Sequence, residues 1–357
     1  MGFLPSRSEP DIWMRLKHDL YEYIAVYVDD LAIAAHDPNE IISLLENKYK
    51  FKLKGTGDIT YHLGIDFHRD KNGVLCMSPK KYIEKICESF EIIFGHPPRT
   101  NCKAPIEKND HPELDTSELL DEEFIQLYQS LIGALQWVVS IGCFDVQTAV
   151  MTLSSFRVAP RKGNLDRIKN IYGYLAKMKH AAIRIRTGEP DFSGLPTNNY
   201  DWEHTVYGCD QEIIPKDAPP PKGKFVTLTH YVDANLMYCI LTGRSITDII
   251  HLLNGTPIDS FSKKQATVET ATYGSEYIAA RTCVEQLIDL RLSLRYLGVP
   301  IRRSSYGFGD NESCVNSSLV PHGKLHKRNL ILSYHRVREN IASKIFLFYH
   351  IPGANNS

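Results

Sequence analysis

Apolar and polar positions at the start of the chain predict a β-hairpin with an acidic tip. Residues 23–28 are apolar and rich in β-branched and aromatic side chains, and the apolar run resumes at residues 31–35, directly after Asp29 and Asp30. A tight hairpin that projects two carboxylates can hold divalent metal ions for phosphoryl transfer. Asp is also a common turn residue. This local pattern leaves both interpretations open.

Helices dominate the middle of the chain. Asp37 followed by Pro38 predicts a helix start, and strands are expected at residues 60–68 and 74–77. A second helix opens at Ser78-Pro79, and three more are predicted at residues 124–139, 145–157 and 165–179. Residues 188–224 lack periodicity and contain several prolines, which predicts a surface linker with polyproline character.

From residue 225 the pattern becomes a mixture of strands and helices. A long amphipathic helix is predicted at residues 269–297, with strands before and after it. The first strand is predicted to end at Asp233, and the fourth at Gly309-Asp310. The order strand, strand, strand, helix, strand, helix indicates a mixed α/β domain, and it is the order expected of a ribonuclease H domain.

Composition places the chain among globular proteins and excludes several other classes. It has 357 residues, of which 43% are hydrophobic and 23% charged. No apolar run approaches the roughly 20 residues of a membrane span, and the N-terminus does not have the pattern of a signal peptide. The eight cysteines form no C-x-x-C pair, which indicates buried thiols in a reducing compartment.

Charge is segregated along the chain, although its net value is only −1. Residues 107–123 carry eight acids and one lysine, residues 161–186 carry eight bases and one acid, and residues 324–344 are basic again. Such basic clusters could contact phosphates, or they could be solvated helix faces. The candidate nucleic-acid contacts are Arg161, Lys162, Lys169, Lys327, Arg328 and Arg336.

The motif Tyr27-Val28-Asp29-Asp30 resembles the metal-binding turn of reverse transcriptases. Its surroundings are similar to the polyprotein of copia-type long-terminal-repeat retrotransposons: residues 1–5 and 9–15 to the preceding palm segment, 61–66 to the primer-grip hairpin, and 128–137 to the connection. The resemblance implies an α/β chain with a truncated polymerase palm and thumb (1–105), a helical connection (106–187), the Pro-rich linker (188–224) and a ribonuclease H-like domain lacking its C-terminal end (225–357).

A second set of acids belongs to the predicted nuclease. Asp233 and Asp310 follow apolar strands, and Glu276 lies in the first half of the long helix. Separately they could be turn residues and an exposed helix acid. Hydrolysis of a phosphodiester with two divalent ions needs several carboxylates, so the resemblance implies that these three bind Mg²⁺ or Mn²⁺. It also implies that Asp29 and Asp30 are residual polymerase ligands.

The resemblance also implies pieces that this chain does not contain. An earlier palm strand with its own Asp and a fingers subdomain would precede Met1, and a fourth nuclease carboxylate would follow Ser357. We therefore expect no polymerase activity from the chain alone and a weakened nuclease. Asp248 stands within an apolar strand, where related sequences tend to have glycine, and is expected to lower stability without compensation.

These expectations describe a fragment of a retrotransposon reverse transcriptase and ribonuclease H. Its partners would be an RNA–DNA hybrid or another nucleic acid and the remainder of the polyprotein. No targeting signal is visible, and the resemblance implies a cytoplasmic location. The alternative is a non-catalytic nucleic-acid-binding remnant or a pseudogene product without function.

Overall fold

Three sheets and one helical core organise the part of the chain that the computed structural model describes, residues 1–197, 200–208, 211–325 and 327–356. The first sheet is an antiparallel meander in the order β1-β2-β3-β4. The predicted hairpin is confirmed, because Tyr27 pairs with Asp30 across a turn formed by Val28 and Asp29. Helix α1 follows, with the Asp37 side chain accepting from the backbone N–H of Asn39. The elements are β1 (Leu4–Pro5), β2 (Ile12–Lys17), β3 (Leu20–Tyr27), β4 (Asp30–Ala34) and α1 (Pro38–Ser43).

This first sheet packs against the C-terminal half of the chain. The Tyr23 hydroxyl donates to the backbone oxygen of Leu297 at 2.6 Å. Tyr21 lies so close to Gly298, whose φ is +69°, that a Cβ there would overlap its ring. Lys222 pairs with Asp19. The hairpin with the Asp pair is therefore attached to the second half of the chain, although it lies within the first 34 residues.

The second sheet and the helical core form together. The sheet is antiparallel in the order β5-β6-β7-β8, so its last strand comes from a distant part of the sequence. Helix α2, predicted as thumb, shares one apolar core with the predicted connection through Phe90 and Tyr172, whose ring centroids are 5.2 Å apart. The elements are β5 (Tyr61–His62), β6 (Ile65–Arg69), β7 (Leu75–Ser78), α2 (Lys80–Phe94), α3 (Glu122–Ser140), α4 (Gln147–Ser154), α5 (Lys162–Met178) and β8 (Ile183–Arg184).

The C-terminal sheet is mixed, in the order β11-β10-β9-β12-β13. Its first three strands are antiparallel, and β12 is parallel to both β9 and β13. The predicted mixed α/β class and the predicted order of strands and helices along the chain are therefore confirmed. The elements are β9 (Leu228–Cys239), β10 (Arg244–Leu253), β11 (Thr256–Lys264), α6 (Thr272–Tyr296), β12 (Ser305–Gly309), α7 (Glu312–Leu319), α8 (Ile331–Ala342) and β13 (Phe346–His350).

One detail of the predicted strands is wrong. Strand β9 does not end at Asp233 but continues to Cys239. The reason is its ladder with β10, in which Asn235 and Cys239 are still paired with Ile246 and Arg244. Asp233 is therefore held in the middle of a strand rather than in a turn.

The segment 188–224 has no helix or strand among its described residues, yet it packs closely on the C-terminal domain. Trp202 is only 5% exposed and belongs to the core of that domain. The guanidinium of the buried Arg338 lies 4.8 Å from the centre of the Trp202 ring, and Glu212 pairs with the buried Arg291 at 2.6 Å. The linker prediction did not anticipate this packing, because the anchors are separated along the sequence.

Truncation of Trp202 tests whether this segment contributes to stability. We expect Trp202→Ala to lower the free energy of unfolding by about 3 kcal/mol, as loss of a buried aromatic ring does. The matched control, Tyr200→Ala, removes a ring that is 47% exposed and should change stability by less than about 0.5 kcal/mol. Denaturant unfolding of both variants is the measurement. Equal, small effects would contradict the packing described.

Candidate metal centre

The three acids of the predicted nuclease come from three elements that meet at one end of the C-terminal sheet. Asp233 lies in β9, Glu276 in the second turn of α6, and Asp310 directly after β12. The ladder between β9 and β12 ends at the pair Tyr231 and Phe308. Both aspartates therefore lie just beyond the last residues that β9 and β12 pair with each other, and α6 packs on β9 beside them.

The carboxylates are close enough to share a metal ion. One oxygen atom from each of Asp233, Glu276 and Asp310 lies within 4.8 Å of the others, and no other group of three or more His, Cys, Asp or Glu residues in the described ranges meets this criterion. The three acids line an open cleft of about 460 Å³, together with Asn235 and Thr272. Glu276 is only 7% exposed, whereas the two aspartates are partly exposed.

Burial and repulsion from neighbouring carboxylates raise the pKa values of Glu276 and Asp233. Burial, followed by the charges of Asp233 and Asp310, raises the pKa of Glu276 to about 9. Burial, followed by the charges of Asp310 and Asp248, raises the pKa of Asp233 to about 6. A hydrogen bond from the Ala234 N–H acts in the opposite direction on both. None of the three acids forms an ion pair with Lys or Arg within the described part of the chain, so a bound cation would offset an otherwise unbalanced negative charge.

The C-terminal segment 350–356 lies along this site and was not predicted as part of it. The His350 Nε2 donates to the backbone oxygen of Asp310 at 3.1 Å. A Cβ added at Gly353 would lie 3.0 Å from the Asp310 Oδ2, and the Asn356 Nδ2 donates to the backbone oxygen of Val232 at 3.0 Å. The segment thus bridges the two strands that carry the aspartates. Nothing in its local sequence pattern predicts these contacts.

Asp29 and Asp30 are placed elsewhere. Both are exposed at the hairpin tip, and in the described structure they join no cluster of three potential metal ligands. Val28 has φ +52°, a left-handed conformation that is unfavourable for a β-branched residue. The turn is therefore strained, a feature that often accompanies functional sites.

The predicted nucleic-acid contacts in α5 already have acidic or carbonyl partners. Lys162 pairs with Glu118, Arg161 donates to the backbone oxygen of Ser117, and Lys169 is 3.1 Å from Asp166. The acidic stretch 107–123 therefore lies against the basic stretch that follows it. Contact of Arg161, Lys162 and Lys169 with phosphates stays a prediction.

The second basic cluster lies beside the start of the helix that carries Glu276. Lys327 is 3.5 Å from the buried Glu269 and donates to Thr270 at 3.2 Å, just before the start of α6. Arg328 is exposed, and Arg336 pairs with Glu339 at 3.0 Å. The positions of Lys327 and Arg328 beside the helix that carries Glu276 keep them as candidates for contact with a bound nucleic acid.

Comparison with known proteins shows which proteins this chain is similar to. Residues 1–107 match the family model described as reverse transcriptase (RNA-dependent DNA polymerase). The Ty5-1 transposon protein of Saccharomyces cerevisiae is 27% identical over 292 residues, which is 80% of each chain. The Pol polyprotein of transposon RE1 from Arabidopsis thaliana is 23% identical over 98% of this chain and 21% of its own length. The chain is a homologue of Ty5/copia-type retrotransposon Pol polyproteins.

The predicted family is thus confirmed for most of the chain. This Pol homologue spans about a fifth of the length of the RE1 polyprotein. A solved structure, LC11-RNase H1 in complex with an RNA/DNA hybrid, is 17% identical and covers 37% of this chain and 89% of its own, with a TM-score of 0.29. No described helix has the length and apolar character needed to cross a bilayer.

The raised pKa values predict how metal binding depends on pH. Because Asp233 and Glu276 keep protons up to pH values of about 6 and about 9, a cation must displace these protons. We expect the affinity for Mn²⁺ to rise over this pH range, with proton release on binding. The free energy of unfolding of the metal-free protein should fall as the pH rises, because carboxyls with raised pKa values stabilise the folded state only while they are protonated. Calorimetric titration with Mn²⁺ in two buffers of different protonation enthalpy measures the affinity and the number of protons released. An affinity independent of pH would contradict the assignment.

Proposed function

We propose that residues 225–357 form a ribonuclease H-type nuclease in which Asp233, Glu276 and Asp310 hold divalent metal ions. The observation that carries this proposal is the convergence of the three carboxylates within 4.8 Å in a cleft beside the inner strands of the mixed sheet. The homology to retrotransposon Pol polyproteins supports it, because those proteins are described as related to retroviral Pol. The proposed substrate is the RNA strand of an RNA–DNA hybrid.

The residues present suit Mg²⁺ or Mn²⁺. The donors are carboxylate oxygens, which hard divalent cations prefer, and the open cleft leaves room for water and a phosphate group. When bound, a pair of such ions lowers the pKa of an attacking water and offsets charge on the leaving oxygen. Glu276 is held by α6, Asp233 by β9 and Asp310 by the end of β12, so each ligand has a fixed backbone. Lys327 and Arg328 are proposed to contact the hybrid backbone beside α6.

The polymerase part is proposed to be inactive in this chain alone. Asp29 and Asp30 offer two neighbouring carboxylates on an exposed turn, and no third described ligand lies close to them. Holding two ions for phosphoryl transfer needs more ligands than this pair supplies. The remainder of a Pol polyprotein is the proposed partner that would complete this site.

Cleavage of a labelled RNA–DNA hybrid by the full chain tests the nuclease proposal. We expect cleavage in Mg²⁺ or Mn²⁺, and a loss of more than about 100-fold in Asp233→Asn, since losing even an outer partner of a metal ligand costs 10–100-fold. The matched control is Asp289→Asn, which removes an exposed carboxylate from α6, the helix that carries Glu276. If the folded wild-type chain binds the hybrid without cutting it in either metal, the enzyme proposal fails and the non-catalytic binding alternative is favoured.

A further inference from the structure

A fourth carboxylate lies next to the candidate metal centre. Asp248 on β10 is directly opposite Asp233 on β9 in the antiparallel ladder. Directly opposite residues point to the same face of a sheet, with their Cβ atoms about 5 Å apart. Asp248 is not one of the acids whose oxygens lie within 4.8 Å of one another. Asp248 therefore lies beside the three proposed ligands. It would act on a bound cation by electrostatic attraction and not by coordination.

A helix from outside the C-terminal sheet holds this carboxylate. The Thr148 hydroxyl on α4 donates to the Asp248 Oδ1 at 2.8 Å. The same helix is fixed on the sheet by Gln147, whose Nε2 donates to the backbone oxygen of Ser260 at 2.9 Å. Burial raises the pKa of the Asp248 carboxyl, and the hydrogen bonds from Ser262 and Thr148 act in the opposite direction by favouring its ionised form. These polar partners also explain how an Asp is accommodated inside this strand.

We propose that Asp248 strengthens divalent-cation binding at the metal centre without ligating the ion, and that Thr148 of the helical core is its positioning residue. This inference rests on the proposed metal centre. A negative charge near the three ligands attracts a divalent cation, and in a partly buried site this attraction is only weakly screened. In the metal-free protein the same charge repels Asp233. The helical core thereby influences the nuclease site through one hydrogen bond.

The Asp248→Asn variant separates the effect of the negative charge from the effect of the side-chain shape. Asp248→Asn keeps an oxygen that can accept from Thr148, so the packing of α4 on the sheet is preserved. We expect its affinity for Mn²⁺, measured by calorimetry on the full chain, to fall by about tenfold. Its metal-free melting temperature should stay the same or rise, because the repulsion with Asp233 is removed. A purely structural role predicts the opposite change in melting temperature.

Three further variants complete the experiment. Thr148→Val removes the donor and should weaken Mn²⁺ binding in the same direction as Asp248→Asn, whereas Thr148→Ser keeps the donor and should bind as the wild type does. Asp289→Asn removes one negative charge from the exposed side of α6, about 20 Å along the helix axis from Glu276 by the helix rise, and should leave Mn²⁺ affinity unchanged.

Asp233→Asn makes the two proposals distinguishable. If it abolishes Mn²⁺ binding while Asp248→Asn leaves the affinity unchanged, the inference about Asp248 is overturned and the metal centre stands. If Asp248→Asn lowers the metal-free melting temperature and the folded protein binds Mn²⁺ normally, Asp248 is a structural anchor only. If Asp233→Asn binds Mn²⁺ as the wild type does, the proposed function itself is wrong.

Discussion

Repulsion between three carboxylates at one end of the β9–β12 ladder is the constraint on which the C-terminal half of the molecule depends. Asp233, Glu276 and Asp310 are brought together although burial and their mutual charges raise the pKa of the first two. Three such carboxylates repel one another in a metal-free protein, and they would move apart unless the backbone fixed each of them. The ladder between β9 and β10 and the packing of α6 supply that rigidity.

Helix α6 contributes both to the core of the C-terminal domain and to the candidate metal centre. Tyr277, Cys283 and Leu287 are fully buried in the domain core, and Glu276 lies among them at the cleft. Other parts of the chain secure the surroundings of this helix. The segment 188–224 anchors it through Glu212 and Arg291, and the first sheet contacts its C-terminal end through Tyr23. Two other regions of the sequence, the segment 188–224 and the first sheet, therefore contact α6.

Local sequence patterns were sufficient for most strands and helices of this protein. Caps such as Asp37 and the strand predicted at residues 74–77 concern neighbours along the chain, and the structure confirms them. The three acids of the candidate site were also predicted, but this needed the resemblance to retrotransposon polyproteins in addition to their positions near strand ends and in the long helix. Contacts between distant residues were not predictable in this way. The length of β9 depends on its pairing with β10, and Trp202 packs against Arg338. The hydrogen-bond partner of Asp248 is Thr148, on a helix 100 residues earlier in the sequence.

The central claim is that Asp233, Glu276 and Asp310 form a divalent-metal site. The most direct test is a crystal structure of the full chain soaked with Mn²⁺, with anomalous scattering used to locate the metal. The account predicts anomalous density between the three carboxylates and Mn²⁺–oxygen contacts from each of them. Ordered carboxylates without anomalous density between them, at a Mn²⁺ concentration that occupies other sites in the same crystal, would contradict it.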